Sequence, residues 1–335
     1  MIQQNYIKDI IRFGLENNQN DLRSKMTEYI QYNKDNKKIK FGLELQEILK
    51  SSSIKYNKPT IHFGSQTDKE IDNLIIQYNP SEYTMDNLVL SKFASEQLDN
   101  FVREHKEKEL LTRFNLPLSN KLLLNGPSGC GKTMTAYVVA GELKKKLIIV
   151  NLGSIVSSKL GETSKNLSNV FRMASQQESI IFIDEFDSLG KVRNYDQDHG
   201  EMKRIVNSII QLFDYLPQSS IIIAATNQKK MIDDALLRRF DTSITLELPE
   251  QNEMERFIDI ILKDKGIGID DQMPRAKLLE TANGLPYASI QQTLINSIKR
   301  SILASMREQS IKPKVNTLLW HNLLKSEKIA LNKES

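Results

Sequence analysis

The sequence predicts an α/β protein: a parallel sheet covered by helices, preceded by one helical segment and followed by another. Short Ile/Val/Leu runs recur between residues 121 and 249, with helical stretches separating them. That is the pattern of strands buried on both faces of a parallel sheet. Before residue 53 and after residue 249 the apolar residues fall at helical spacing instead. Hydrophobic residues make up 39% and charged residues 26% of a 335-residue chain, enough for two or three ordinary cores.

In residues 1–52, Ile7, Ile10, Ile11 and Leu15 recur at helical spacing, then Leu22, Met26 and Ile30, then Leu45, Ile48 and Leu49. The turn-prone stretches NNQN (17–20) and NKDNKK (33–38) separate them. A small helical bundle or hairpin is the expectation, with an interaction role. Residues 53–84 read as a linker. At residue 85 a short apolar run leads into an amphipathic helix, and residues 85–250 form the expected α/β unit. Its strands are KLLLNG (121–126), KLIIVNL (146–152), SIIFIDE (179–185), SIIIAATN (220–227) and SITLELP (243–249). Residues 251–335 read as helices to the end, and no internal repeat is visible.

Composition narrows the function classes. The net charge of +4 comes from 46 basic against 42 acidic residues. It is scattered, which indicates a solvated surface rather than a nucleic-acid footprint. No apolar stretch approaches the ~20 residues that span a bilayer. The first residues, MIQQNYIKDIIRFGLENN, are too polar for a secretory signal. The single cysteine, Cys130, forms no internal disulfide and supplies no metal cluster. A cytoplasmic protein is expected.

The chemistry concentrates in four places. Gly126, Pro127, Ser128, Gly129, Cys130, Gly131, Lys132 and Thr133 match GxxxxGK[ST] after an apolar strand and before a helix that continues with Met134. Glycines there permit a tight loop whose backbone N–H groups wrap phosphates. Lys132 is expected on the β- and γ-phosphates, and the Thr133 hydroxyl on Mg²⁺. The strand Ile181-Phe182-Ile183 ends in Asp184 and Glu185. Two adjacent acids are unfavourable at the end of a buried strand unless they do chemistry there. Asp184 is expected to hold Mg²⁺ and Glu185 to polarise the attacking water. Asn227 ends the next strand, at the carboxyl edge where ligands bind, placed to hold that water. Arg238 and Arg239 precede the last strand, as a solvated turn or as fingers for a neighbour's ATP. Cys130 lies beside phosphate and a helix N-terminus, a setting that lowers a thiol pKa; a redox switch and an ordinary small loop residue are both open.

These elements, in this order, resemble the AAA ATPases, the clade that includes katanin and spastin, over residues 85–300. The resemblance implies a P-loop NTPase large subdomain with sheet order 5-1-4-3-2, a small helical lid, and ATP and Mg²⁺ as cofactors. It also implies a homo-oligomer, a hexamer by family habit, in which Asn227 is sensor 1 and Arg238 and Arg239 are paired fingers. Lys159 and Leu160 fall in the first pore loop, with Lys159 where the family carries an aromatic residue. Residues 190–200 match the second pore loop by position only. In the lid motif, Gly284, Ala288 and Ile290 fit, and Ala288 is expected at the nucleotide. Tyr287 and Ser289 replace the family's glycine and aspartate.

Two functions follow from the resemblance. One is an ATP-driven ring or spiral that remodels a protein client recruited by the N-terminal helices. The other is a nucleotide-dependent switch controlling a partner effector, such as a subtilisin-like protease in phage defence. Neither nucleic acid nor a membrane span is expected.

Overall fold

The computed structural model describes residues 8, 25–30, 32–33, 75–78, 81–152, 160–176, 178–191, 199–217, 220–307 and 314–334. The chain forms two units, Met1–Thr60 and Ile61–Ser335. In the first, residues 25–30 and 32–33 are helical, with Tyr29 and Ile30 buried. There Asn33 Nδ2 donates to the carbonyl of Tyr29 at 2.8 Å. Most of the remaining residues expected to be helical in 1–52 lie outside the described residues.

The second unit opens with β1 (Ile75–Tyr78), then α1 (Lys92–Lys106), α2 (Lys108–Arg113), β2 (Lys121–Asn125), α3 (Lys132–Glu142) and β3 (Leu147–Asn151). There follow α4 (Leu160–Gln176), β4 (Ile180–Asp184), α5 (Ser188–Lys191), α6 (His199–Asp214), β5 (Ile221–Thr226), α7 (Asp234–Leu237) and β6 (Thr242–Thr245). The sheet order is β1-β3-β4-β5-β2-β6. Counted over the five expected strands this is 5-1-4-3-2 read from the β6 edge, and those five are parallel. The addition is β1, which pairs antiparallel with β3, Ile75 opposite Val150 and Tyr78 opposite Leu147. It lies within the stretch read as a linker. A four-residue run is too short to show a period, and Ile-Ile-Gln-Tyr needs only the open edge of β3 to become a strand.

Alternate residues of each strand serve opposite faces. Ile148, Val150, Ile181, Ile183, Ile222 and Ala224 join Phe171, Ile209 and Phe213 from α4 and α6 in one core. Leu147, Ile180, Phe182, Ile221, Ile223 and Ala225 join Leu98 and Phe101 from α1 and Ala136, Val139 and Ala140 from α3 in the other. Both faces are dry, so the strands read as continuous apolar runs. Helix α1 starts at Ser91, whose side chain accepts from the Ala94 N–H at 3.3 Å. Asp241 fixes the start of β2 by accepting the N–H groups of Asn120 and Lys121, both at 2.9 Å.

The helical region is α8 (Gln251–Lys265), α9 (Arg275–Ala282), α10 (Tyr287–Arg307) and α11 (Thr317–Glu334). It also holds a small parallel pair not expected from the sequence, β7 (Gly268–Ile269) and β8 (Lys314–Val315). Met254, Ile258, Leu278, Leu294, Trp320 and Leu324 are among the residues of its core. Trp320 is 1% exposed and its indole N–H donates to Thr293 Oγ1 at 3.3 Å, so the last helix is part of this core. Because Trp320 is the single tryptophan, its fluorescence reports the lid. Leu324→Ala is expected to cost ~2–5 kcal/mol through the cavity it leaves, read as a lower urea midpoint of Trp320 fluorescence. An unchanged midpoint would contradict this packing.

Candidate nucleotide-binding and hydrolysis site

The loop between β2 and α3 is shaped by what surrounds it. Gly126 has φ +155°, and a Cβ there would lie 2.0 Å from the carbonyl oxygen of Leu246. Its N–H donates to the carbonyl of Thr226 at 3.2 Å, so the loop leaves the sheet still paired to β5. Gly129, at φ +77°, would press a Cβ to 2.9 Å from the Ala288 Cβ. Its carbonyl accepts the Ala288 N–H at 3.1 Å. The first turn of α10 is therefore bonded to the loop through Ala288. Pro127, Ser128 and Thr133 are exposed, and Met134 is half-buried in the first turn of α3.

Lys132 is 8% exposed and donates from Nζ to the carbonyls of Gly126 and Pro127, each at 2.8 Å. Burial pulls its pKa below the ordinary lysine value, opposed by Cys130 and by the carboxylates of Asp184 and Asp187. A phosphate is a stronger partner for an ammonium than neutral carbonyls. A helix N-terminus, a buried lysine and a nearby carboxylate suit a polyphosphate carrying a divalent cation.

The acids after β4 separate. Asp184 is half-buried and its Oδ1 accepts the Glu185 N–H at 2.9 Å. Glu185 is exposed at φ +51°, a left-handed conformation that costs a non-glycine residue roughly 1–2 kcal/mol. Such strain is characteristic of working positions. Asn227, just beyond β5, is also exposed. Between them lies an acid that the sequence did not single out. Asp187 is 1% exposed, and its Oδ1 accepts the Thr226 hydroxyl at 3.0 Å and the Asn227 N–H at 3.4 Å. Its only signal was a third acid close behind the pair, which reads equally well as a helix cap.

The adjacent arginines differ. Arg238 is exposed; its backbone N–H caps α7 by donating to the Asp234 carbonyl at 3.0 Å, while its guanidinium makes no hydrogen bond or ion pair among the described residues. Arg239 is forked onto Asp214 at the end of α6, Nε to Oδ1 at 2.9 Å and Nη2 to Oδ2 at 3.0 Å. Its Nη1 also donates to the carbonyl of Ala235 at 2.8 Å. Arg239, expected as one of a pair of fingers, is thus engaged within its own chain. Phe240 pins the same turn, edge-on to Phe186 at 5.6 Å and to Phe213 at 5.5 Å.

Other expectations sort as follows. Cys130 is 1% exposed and burial pushes its thiol up. This corrects the lowered pKa expected from the helix N-terminus and removes the basis for a redox switch. Tyr287 is buried edge-on against Phe257 at 4.9 Å, with its phenol pushed up by burial. Ser289 donates to Glu327 at 2.8 Å and so ties α10 to α11. Lys159 lies outside the described residues, and Leu160 begins α4. Gly190 and Lys191 belong to α5, His199 begins α6, and 192–198 lie outside the described residues.

Two outcomes follow. Native protein at pH 8 is expected to react with iodoacetamide at least ~10-fold more slowly than a free cysteine, because little thiolate forms. Fast labelling at that pH would contradict a buried Cys130 with a raised pKa. Gly126→Ala is expected to abolish nucleotide binding, measured with a fluorescent ATP analogue, since the methyl must displace the Leu246 backbone. Wild-type affinity would contradict this loop geometry.

Comparison with known proteins agrees with the geometry. The model of the ATPase family associated with various cellular activities (AAA) matches residues 122–248. An uncharacterized AAA family ATPase of Sinorhizobium fredii is 32% identical over 68% of this chain and 68% of its own length. The ATP-dependent zinc metalloprotease FtsH 3 of Sphaerobacter thermophilus is 32% identical over 60% of this chain, and the match covers 42% of that protein. A putative 26S proteasome regulatory subunit homolog of Methanothermobacter marburgensis is 26% identical over 74% of this chain and 66% of its own length. The chain thus spans less than half of the FtsH protein and about two thirds of the other two. A match of this identity across two thirds of both chains, on a fold with this loop and this strand order, assigns the protein to one family: it belongs to the AAA ATPases, and it hydrolyses ATP.

Proposed function

We propose that this ATPase works as a homo-oligomeric ring or spiral, with hexameric arrangement the family habit, and uses hydrolysis to remodel a protein client. The observation that carries the proposal is Arg238. It is an exposed guanidinium without a partner among the described residues, on a turn braced by the Arg239–Asp214 fork and the Phe240 contacts. A rigid turn presenting one uncommitted guanidinium suits a site completed by a neighbouring subunit.

Within one subunit, residues 126–133, with Met134 and Ala288, bind ATP. Lys132 exchanges its two carbonyl acceptors for phosphate oxygens. Thr133 and Asp184 hold Mg²⁺, which when bound neutralises phosphate charge. Glu185 takes the proton of the attacking water and Asn227 orients that water. Arg238 of one subunit meets the phosphate held by the next, while Arg239 anchors the turn. The N-terminal helices recruit the client, and Lys159 and Leu160 meet it in the central pore. A need for ATP supports a reading in which the work is cytoplasmic. No helix among the described residues is long and apolar enough to cross a membrane. The relatives named as a metalloprotease and a proteasome regulatory subunit homolog support action on protein rather than nucleic acid.

A second reading is a nucleotide-dependent switch that holds or releases a partner effector, for example a subtilisin-like protease in phage defence. Lys159 favours it, since a flexible lysine stem lacks the rigid wedge of an aromatic ring.

Glu185→Gln is expected to bind ATP, lose turnover by about 10²-fold or more, and assemble at saturating ATP; a monomer in sedimentation would contradict the shared site. Arg238→Ala is expected to retain ATP affinity without turnover. Mixed with Glu185→Gln it recovers part of the activity, because some interfaces then combine an intact Glu185 with a neighbour's intact Arg238. No recovery on mixing would contradict action across an interface. Lys159→Ala is expected to abolish client processing while leaving partner binding intact; a variant unchanged in both assays would overturn threading.

A further inference from the structure

The roles above leave one buried acid beside the site unused. Asp187 is 1% exposed, and burying a carboxylate is costly unless its bonds repay the loss of water. Its Oδ1 accepts the Thr226 hydroxyl at 3.0 Å and the Asn227 N–H at 3.4 Å. Thr226 Oγ1 in turn accepts the Gln228 N–H at 3.0 Å. From the same loop, the Phe186 N–H donates to the carbonyl of Ala225 at 2.8 Å. The backbone from Ala225 to Gln228 is therefore fastened from the segment that begins at Glu185. A simple strand-end cap would need one acceptor, which a neutral side chain supplies at lower desolvation cost. Asp187 instead gathers groups on both sides of the peptide bond entering Asn227, and its charge reaches Lys132.

We propose that Asp187 is a positioning residue for ATP hydrolysis: it locks the Thr226–Asn227 strand end to the Glu185 loop, so that Asn227 and Glu185 address one water. The proposal rests on the reading of Asn227 as the group that orients the attacking water. It places Asp187 outside direct contact with nucleotide. Its loss therefore acts on turnover, not on affinity, and acts through Asn227.

The test is steady-state ATP hydrolysis with separate kcat and KM, together with direct binding of a fluorescent ATP analogue, for Asp187→Ala, Asp187→Asn, Asn227→Ala and the double variant Asp187→Ala/Asn227→Ala. Asp187→Ala is expected to lower kcat about tenfold or more, with KM and analogue affinity within about threefold of wild type. Asp187→Asn, which keeps an acceptor oxygen, recovers most of that loss. The double variant is no slower than Asn227→Ala alone, because both changes remove the same function. Should Asp187→Ala fail to fold, Thr226→Val carries the test, since it removes the hydroxyl link while conserving shape. It is expected to lose kcat in the same selective way. Multiplicative losses in the double variant, a parallel fall in affinity, or wild-type kcat in Asp187→Ala or a folded Thr226→Val would overturn the proposal while leaving the Asn227 assignment standing. Wild-type kcat in Asn227→Ala would overturn that assignment, and the role of Asp187 with it.

Discussion

Everything at the site depends on one strand register. Asn125 of β2 lies opposite Thr226 of β5, and Ile183 of β4 lies opposite Ala224. Pairing to β5 continues past the ends of β2 and β4, with the Gly126 N–H on Thr226 and the Phe186 N–H on Ala225. The phosphate loop, the acids and Asn227 therefore leave the sheet at the same level, on its carboxyl edge. There β2 runs on to β3 across the sheet, while β5 passes over β2 to reach β6. Such reversals open the crevice in which open α/β sheets bind ligands. A slip of one residue would turn every side chain of a strand to the opposite face. It would place buried isoleucines where the acids stand, and the two dry cores penalise that arrangement heavily.

Two sets of contacts extend this edge outward. The Gly129–Ala288 hydrogen bond links the phosphate loop to the first turn of α10, and Ser289 carries the link to α11 through Glu327. On the other side, Phe186 follows Glu185 and packs on Phe213 and Phe240. Phe240 adjoins the arginine turn and Phe213 adjoins Asp214. A close-packed aromatic cluster transmits displacement because it has little free volume to absorb it. The residue after Glu185 and the residue after Arg239 thus pack in one aromatic cluster.

The central strands were legible because each is an uninterrupted apolar run, and the phosphate loop because its glycines and lysine stand at a fixed spacing. β1 was not, since Ile-Ile-Gln-Tyr acquires its meaning only from the exposed edge of β3. The difference between Arg238 and Arg239 was hidden because Asp214, which engages one of them, lies 25 residues away. Asp187 was missed for a similar reason: its partners Thr226 and Asn227 come 39 and 40 residues later. For Cys130, the sequence displayed the helix N-terminus that favours a thiolate but not the burial that disfavours it; burial pushes the thiol up against the opposing charge of Lys132. The substitutions in the lid motif were visible as departures. Their consequence, a buried Tyr287 and a serine bonded to Glu327, required the fold.

The central claim is that a subunit holds nearly all of a hydrolytic site and borrows the rest from an identical neighbour. The most direct measurement is steady-state ATPase rate per subunit across a wide series of protein concentrations. The account predicts a rate per subunit that climbs steeply with concentration and then saturates as neighbours complete each site. A rate per subunit that is substantial and independent of concentration down to dilutions at which sedimentation shows only monomer would contradict it.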